Sequence, residues 1–143
     1  MRIALGCDHA GFALKGPLTA ALEAGGHDIL DLGTFSAEPV DYPDFARAVC
    51  QAVLRGFVDA GVLVCGSGVG ASIAANKIRG IRAAMCTDET IARYSREHNG
   101  ANVLTPGSSL LAVHVIAADG LVGRGAGDLA RLQRLVADLG GTF

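Results

Sequence analysis

Val62-Leu63-Val64-Cys65-Gly66-Ser67-Gly68-Val69-Gly70 is the stretch on which the reading of the fold turns. Its first four residues are apolar without interruption, as in a parallel strand buried on both faces. The glycines that follow let the backbone turn tightly, and Ala71 to Lys77 then reads as a short helix. A buried strand feeding a helix through a glycine loop is the repeating unit of an α/β sheet.

The same alternation extends in both directions. Upstream, Ile3-Ala4-Leu5 is an apolar run closed by Gly6. Phe12 to Leu22 follows with apolar residues at Leu14, Leu18, Ala21 and Leu22, a helical spacing. Pro17 either lies in the first turn of that helix or kinks it. His27 to Leu32 reads as a second strand ended by Gly33, and residues 34–41 as a polar loop. Asp41-Tyr42-Pro43-Asp44 has the form of a helix start, continued by Phe45 to Leu54. Downstream, Arg82 to Cys86 is a fourth strand, and Asp88 to His98 a helix capped by Thr87 or Asp88. Asn102-Val103-Leu104 is a short fifth strand, with helical stretches at Ser109 to Ala118 and Asp128 to Leu139. The expectation is a five-stranded parallel sheet with helices on both faces, a three-layer sandwich. Ligands in such sheets sit beyond the carboxyl ends of the strands. That rule selects Cys7-Asp8-His9, Cys65 to Gly70, Cys86 to Asp88, and Leu104 to Ser108.

Bulk properties narrow the class. The 143 residues fit a single domain, 1–143, and half of them are apolar. Twelve basic and fourteen acidic side chains give a net charge of −2, which argues against an electrostatic grip on nucleic acid or an anionic membrane. No apolar run reaches the ~18 residues of a membrane span. The cysteines, Cys7, Cys50, Cys65 and Cys86, form no C-x-x-C pair, and the chain opens directly into a strand pattern. Reduced thiols and a cytoplasmic location are the expectation.

The glycine loop carries the strongest local chemistry. Its N–H groups and the start of the next helix favour an anion or a developing oxyanion, although a tight turn with no ligand would use the same residues. No Gly-Lys-Ser/Thr closes it as a Walker loop, and it follows the third strand, whereas a dinucleotide fingerprint follows the first. Cys65 ends its strand beside the loop, where a thiol can serve as base or nucleophile; a buried cysteine is otherwise a small hydrophobe. That bland reading is the one for Cys7, Cys50 and Cys86. Asp8-His9 ends the first strand, either as an oriented or anion-holding histidine or as a helix cap. His98-Asn99 ends the fourth helix, where capping is an ordinary role. His27 and His114 carry no expected role. A metal site from Cys7, Asp8, His9, Cys65 and His98 would need several of these to converge on one ion, which their spacing does not favour.

Four ordered blocks carry a resemblance. They are Gly6-Cys7-Asp8-His9-Ala10-Gly11-Phe12; Asp41-Tyr42-Pro43-Asp44; Gly61 to Arg82; and Arg96-Glu97-His98-Asn99 with Ala101-Asn102-Val103-Leu104. With them the chain resembles the ribose-5-phosphate isomerase B and galactose-6-phosphate isomerase family from residue 1 to about residue 105. The resemblance implies a Rossmann-like sandwich, a homodimer or dimer of dimers, and aldose–ketose interconversion through a cis-enediol without metal or organic cofactor. It implies that Cys65 moves a proton between C1 and C2. Gly66, Gly68, Val69 and Gly70 would stabilise the enediolate oxygen, with Ser67 assisting hydroxyl protons. His98 would open the sugar ring. Asp8, Tyr42 and Asn99 would hold hydroxyls or assist opening, and His9 would contact the phosphate.

The tail departs from the family's pattern. Ser109 stands where the family has an arginine after the fifth strand, and Ala130 where it has the first C-terminal one; Arg134 aligns with the second, and Arg131 is a neighbour. Fewer guanidinium groups weaken the grip on a phosphate. The C-terminal helix, about 127–140, is expected to pack on the partner subunit with Arg134 directed at the other copy's His9. The implied substrate pair is ribose 5-phosphate and ribulose 5-phosphate. The alternatives are the same chemistry on a tetrose phosphate, a hexose phosphate or an unphosphorylated sugar, and a non-catalytic sugar-phosphate-binding homologue.

Overall fold

The computed structural model describes residues 1–109. Five parallel strands alternate with four helices: β1 (Arg2–Cys7), α1 (Phe12–Ala24), β2 (Asp28–Asp31), α2 (Tyr42–Leu54), β3 (Ala60–Val64), α3 (Val69–Asn76), β4 (Ala83–Ala84), α4 (Glu89–Glu97) and β5 (Val103–Leu104). The sheet order is β2-β1-β3-β5-β4. In register, Leu5 of β1 lies between Asp31 of β2 and Val62 of β3, and Val62 also faces Leu104 of β5. The expected helices at Ser109 to Ala118 and Asp128 to Leu139 fall outside the described residues, apart from Ser109.

Alternation along β1 and β3 divides the core into two layers. Ile3, Leu5, Cys7, Val62 and Val64 pack with Leu18 and Leu22 of α1 and Ala92 of α4. Ala4, Leu63 and Cys65 pack on the opposite face with Ala46, Val49 and Cys50 of α2 and Ala71 and Ala75 of α3. Each large aliphatic side chain fully buried here contributes about 1.5–3 kcal/mol. Helices therefore cover both faces, and every βα loop emerges at the carboxyl edge of the sheet.

Several boundaries differ from those read in the sequence. Gly6 does not close β1, which runs on to Cys7. Gly6 and Gly61 are instead where α2 presses on the sheet: a Cβ on either would lie 2.7 or 2.6 Å from a methyl of Val49. Pro17 lies in the second turn of an unbroken α1, beyond the first turn. The strands expected at His27 to Leu32 and Arg82 to Cys86 shrink to Asp28–Asp31 and Ala83–Ala84, because neighbours pair only over those residues. Asp88 is the cap of α4, its Oδ1 accepting the Ile91 N–H at 2.9 Å.

Candidate active site

Cys65 leaves β3 into the glycine loop and bridges in parallel to Gly107. The Ser108 N–H donates to the Cys65 carbonyl and the Ser109 N–H to the Gly66 carbonyl, both at 2.8 Å, so the segment after β5 is laced to the loop. Gly68 caps α3 in the left-handed region at φ 81°. A Cβ there would fall 2.2 Å from the Thr105 carbonyl oxygen, so the position excludes any other residue. This bend turns the Gly68 N–H back on Cys65, donating to Sγ at 3.2 Å. Cys65 is 6% exposed. The Val69 N–H donates to Ser67 Oγ at 3.3 Å. The next N–H groups of the helix, at Gly70 and Ala71, lie in the first turn, where no intrahelical acceptor exists.

The β1–α1 loop forms the adjacent wall. Gly11 lies so close to β3 that a Cβ would come within 2.3 Å of the Val64 oxygen. Asp8, 6% exposed, accepts the Gly11 N–H on Oδ1 at 2.9 Å and so closes the turn that precedes α1; it is not the helix cap, since Gly11 is the N-cap and no side chain caps the first turn. Asp8 Oδ2 has no hydrogen-bond partner among the described residues. Ser108 Oγ donates to the Ala10 carbonyl at 2.9 Å and ties the third loop to the first. His9 is exposed, and the Val40 N–H donates to its Nδ1 at 3.1 Å. An acceptor at Nδ1 places the proton of the neutral ring on Nε2, ready to donate outward. Tyr42, in the first turn of α2, lays its phenol against Gly70.

Asp8, His9, Tyr42, Cys65, Ser67 and the residues Gly66 to Gly70 thus meet at one edge of the sheet. His98 and Asn99 do not join them. They follow α4, which runs antiparallel to the strands, and the turn they begin is held to the amino edge: Arg82 Nε donates to the Gly100 carbonyl at 2.6 Å, and Asn102 Nδ2 to the Gly80 carbonyl at 2.9 Å. The five residues of β3 separate the two edges by about 17 Å. His98 is exposed and edge-on to Tyr94, with centroids 5.2 Å apart. Asn99 helps line a separate cleft of about 370 Å³ with Asn76, Arg82 and Ser95. Arg134, with Arg131 and Ala130, lies outside the described residues, as does His114.

The other thiols are packing groups. Burial pushes Cys50 up to about 11 and Cys86 up to about 12. Burial also raises Cys7, against a smaller opposing effect of the nearby Lys15 ammonium. Among the described residues, no group of three or more His, Cys, Asp or Glu side chains is placed to hold a metal ion. No helix among them is long and apolar enough to cross a membrane.

Sequence reasoning passed over Lys15, and it selected the segment Leu104 to Ser108 without giving Ser108 a role. The partner of Ser108 could not be read locally, because Ala10 is 98 residues away in the chain. Lys15 gave a local signal: at the spacing i, i+3, i+7 it shares a helix face with the buried Leu18 and Leu22.

Comparison with known proteins agrees with this architecture. Residues 3–118 match the family model described as Ribose/Galactose Isomerase. The chain is 49% identical over 114 residues to ribose-5-phosphate isomerase B of Escherichia coli, covering 80% of this chain and 76% of that protein. It is 40% identical over 116 residues to the galactose-6-phosphate isomerase subunit LacB of Clostridium acetobutylicum, covering 81% and 67%. The crystal structure of a ribose 5-phosphate isomerase from Thermotoga maritima superposes with a TM-score of 0.82 at 39% identity, covering 99% of this chain and 86% of that one. With the family model spanning most of the chain and these relatives alike in sequence and fold, this protein belongs to the ribose/galactose isomerase family.

Proposed function

We infer that this chain is an aldose–ketose isomerase of sugar phosphates, with ribose 5-phosphate and ribulose 5-phosphate as its pair. Its relatives carry that activity in their names. The observation that carries the chemistry is the Cys65 thiol, fixed at 3.2 Å by the Gly68 N–H beside the start of α3. Proton transfer next to a carbonyl requires one placed base and one site for the developing oxyanion.

In the open-chain aldose, Cys65 as thiolate takes the proton from C2. The C–H electron pair becomes the C1–C2 double bond, and the carbonyl pair moves onto O1. The first-turn N–H groups at Gly70 and Ala71 stabilise that charge. The Ser67 hydroxyl assists transfer of the hydroxyl proton from O2 to O1, and Cys65 returns its proton to C1. Asp8 and Tyr42 hold sugar hydroxyls, and His9 Nε2–H faces the phosphate.

Ring opening is assigned to His98, and it sets a geometric condition. A base must lie within hydrogen-bond reach of the proton it moves. The opposite edge of the same chain does not satisfy this, so His98 and Asn99 serve the site of a second copy. Ile91 and Tyr94 lie exposed on the same stretch of α4 as His98, apolar surface suited to such a contact. Arg134 is assigned to the phosphate held by the other copy's His9. The reading is therefore of a cytoplasmic homodimer or dimer of dimers.

The test is an isomerisation assay over a panel of pentose, tetrose and hexose phosphates and free ribose, with wild type and Cys65→Ala. Turnover of ribose 5-phosphate that falls by about 10²–10⁴-fold in the variant is expected. Wild-type turnover in Cys65→Ala overturns the assignment of the base, and preference for another sugar overturns the substrate.

A further inference from the structure

Lys15 is a charged residue in an otherwise apolar layer. It sits on α1 and is only 9% exposed. Its Nζ donates to the Thr34 carbonyl at 2.7 Å and pairs with Asp31 Oδ2 at 2.9 Å. The same ammonium lies 4.2 Å from the centroid of Phe35, a ring that is 81% exposed and covers it from outside. Three groups of one segment, at the end of β2 and just beyond, thus converge on one cation. Gly33 makes room for the stem, since a Cβ there would lie 3.1 Å from Lys15 Cδ and 2.9 Å from the Cys7 backbone nitrogen.

That segment is the β2–α2 connection, and its far end reaches the candidate site. It carries Val40, whose N–H sets the ring of His9, and it runs into Tyr42, whose phenol rests on Gly70. Between its two ends the connection has weak internal support: Thr34 and Ser36 bond each other at 3.4 and 3.5 Å, and Glu38 bonds Ser36 at 3.4 Å. The near end is held to β1 by the Leu32 N–H on the Leu5 carbonyl at 2.8 Å and the Thr34 N–H on the Cys7 carbonyl at 3.0 Å, and the Lys15 ammonium adds a buried, charge-assisted contact from the helix side, of a kind that resists displacement far better than exposed neutral ones.

We propose that Lys15 is a positioning residue for substrate binding: by clamping Asp31, Thr34 and Phe35 it holds the connection in the register that gives His9 its Nε2–H tautomer and Tyr42 its place over the glycine loop. Lys15 itself does not touch the substrate. The effect on catalysis rests on the reading of His9 and Tyr42 as substrate-binding groups. The effect on the His9 ring does not.

The experiment compares Lys15→Met, which keeps the stem and removes the charge, with Lys15→Arg, which keeps the charge. Ring nitrogen shifts of ¹⁵N-histidine-labelled protein report the His9 tautomer directly. Wild type is expected to show the Nε2–H form, Lys15→Met a mixture of tautomers, and Lys15→Arg a return toward wild type. In the assay, KM for ribose 5-phosphate is expected to rise about tenfold in Lys15→Met with kcat changed by less than about threefold. If that variant does not fold, Asp31→Asn loosens the same clamp from its exposed side and carries the same readouts. Wild-type ring shifts in the charge-removing variant overturn the proposal, as does a lowered melting temperature with KM unchanged. His9→Ala separates the two levels: a variant that binds ribose 5-phosphate as wild type does removes His9 from the substrate and overturns the site reading, while the ring shifts still decide the clamp.

Discussion

The phenol of Tyr42 lies on Gly70 so closely that a Cβ at position 70 would come within 2.9 Å of Cζ and 3.0 Å of the hydroxyl. The first turns of two helices, α2 and α3, are thereby fitted to each other at the mouth of the site. Gly70→Ala should displace Tyr42 while leaving the fold intact. Alanine favours the helix by about 1 kcal/mol over glycine, which offsets much of the ~1–3 kcal/mol of overpacking. The expected result is a melting temperature near wild type with kcat/KM for ribose 5-phosphate lowered by about tenfold or more. Wild-type kinetics would show that the placement of Tyr42 does not matter to the reaction.

Gly68→Ala should behave differently. The left-handed φ alone costs a non-glycine residue about 1–2 kcal/mol. The approach of 2.2 Å to the Thr105 carbonyl involves backbone on both sides, which cannot yield as a side-chain tip can. Thermal unfolding should therefore occur well below wild type, and the folded fraction should lack the bond that orients Cys65. A variant as stable and as active as wild type would contradict the described loop.

The separation of Cys65 and His98 across the sheet predicts complementation. Cys65→Ala and His98→Ala are each expected to be poorly active on ribose 5-phosphate. Refolded or co-expressed together, they form mixed dimers in which one site of each pair has both groups intact. Random pairing then restores about a quarter of wild-type activity. Mixtures no more active than the separate variants would place both groups in one chain's site.

Alkaline stability follows from the buried thiols. Cys50 and Cys86 titrate in the folded protein at about 11 and about 12, above the 9.0 of an unfolded cysteine. Between those values the unfolded chain binds fewer protons than the folded one, so stability falls as pH rises. It is expected to be level below about pH 9 with respect to these groups and to decline above it. Denaturant unfolding at several pH values checks this, and Cys50→Ala should make the decline shallower. An unchanged slope in that variant would remove Cys50 as a contributor.

What the sequence determined by itself was mostly local. Val62, Leu63 and Val64 have no polar face, so they could only form a strand covered on both sides. Gly66, Gly68 and Gly70 could only be a tight turn into a helix. Asp8, His9 and Cys65 each end a strand, and in a parallel sheet strand ends share one edge, so their meeting was legible once the alternation was read. Pairing and packing decided the rest. Strand limits depended on neighbours: Gly6 stays in β1 because Val49 of α2 needs the space above it, and β4 is short because only two of its residues pair with β5. The likeness in sequence placed His98 among the site residues, but the direction of α4 put it at the far edge, a consequence of three-dimensional connectivity that no local pattern expresses. The spacing of Lys15 with Leu18 and Leu22 puts a charge on the buried face of α1, but what the charge meets there, Asp31, Thr34 and Phe35, only the fold brings around it. Strand and turn preferences act over a few residues and can be read along the chain, whereas a buried charge and a shared site depend on groups that only the folded sheet brings within bonding distance.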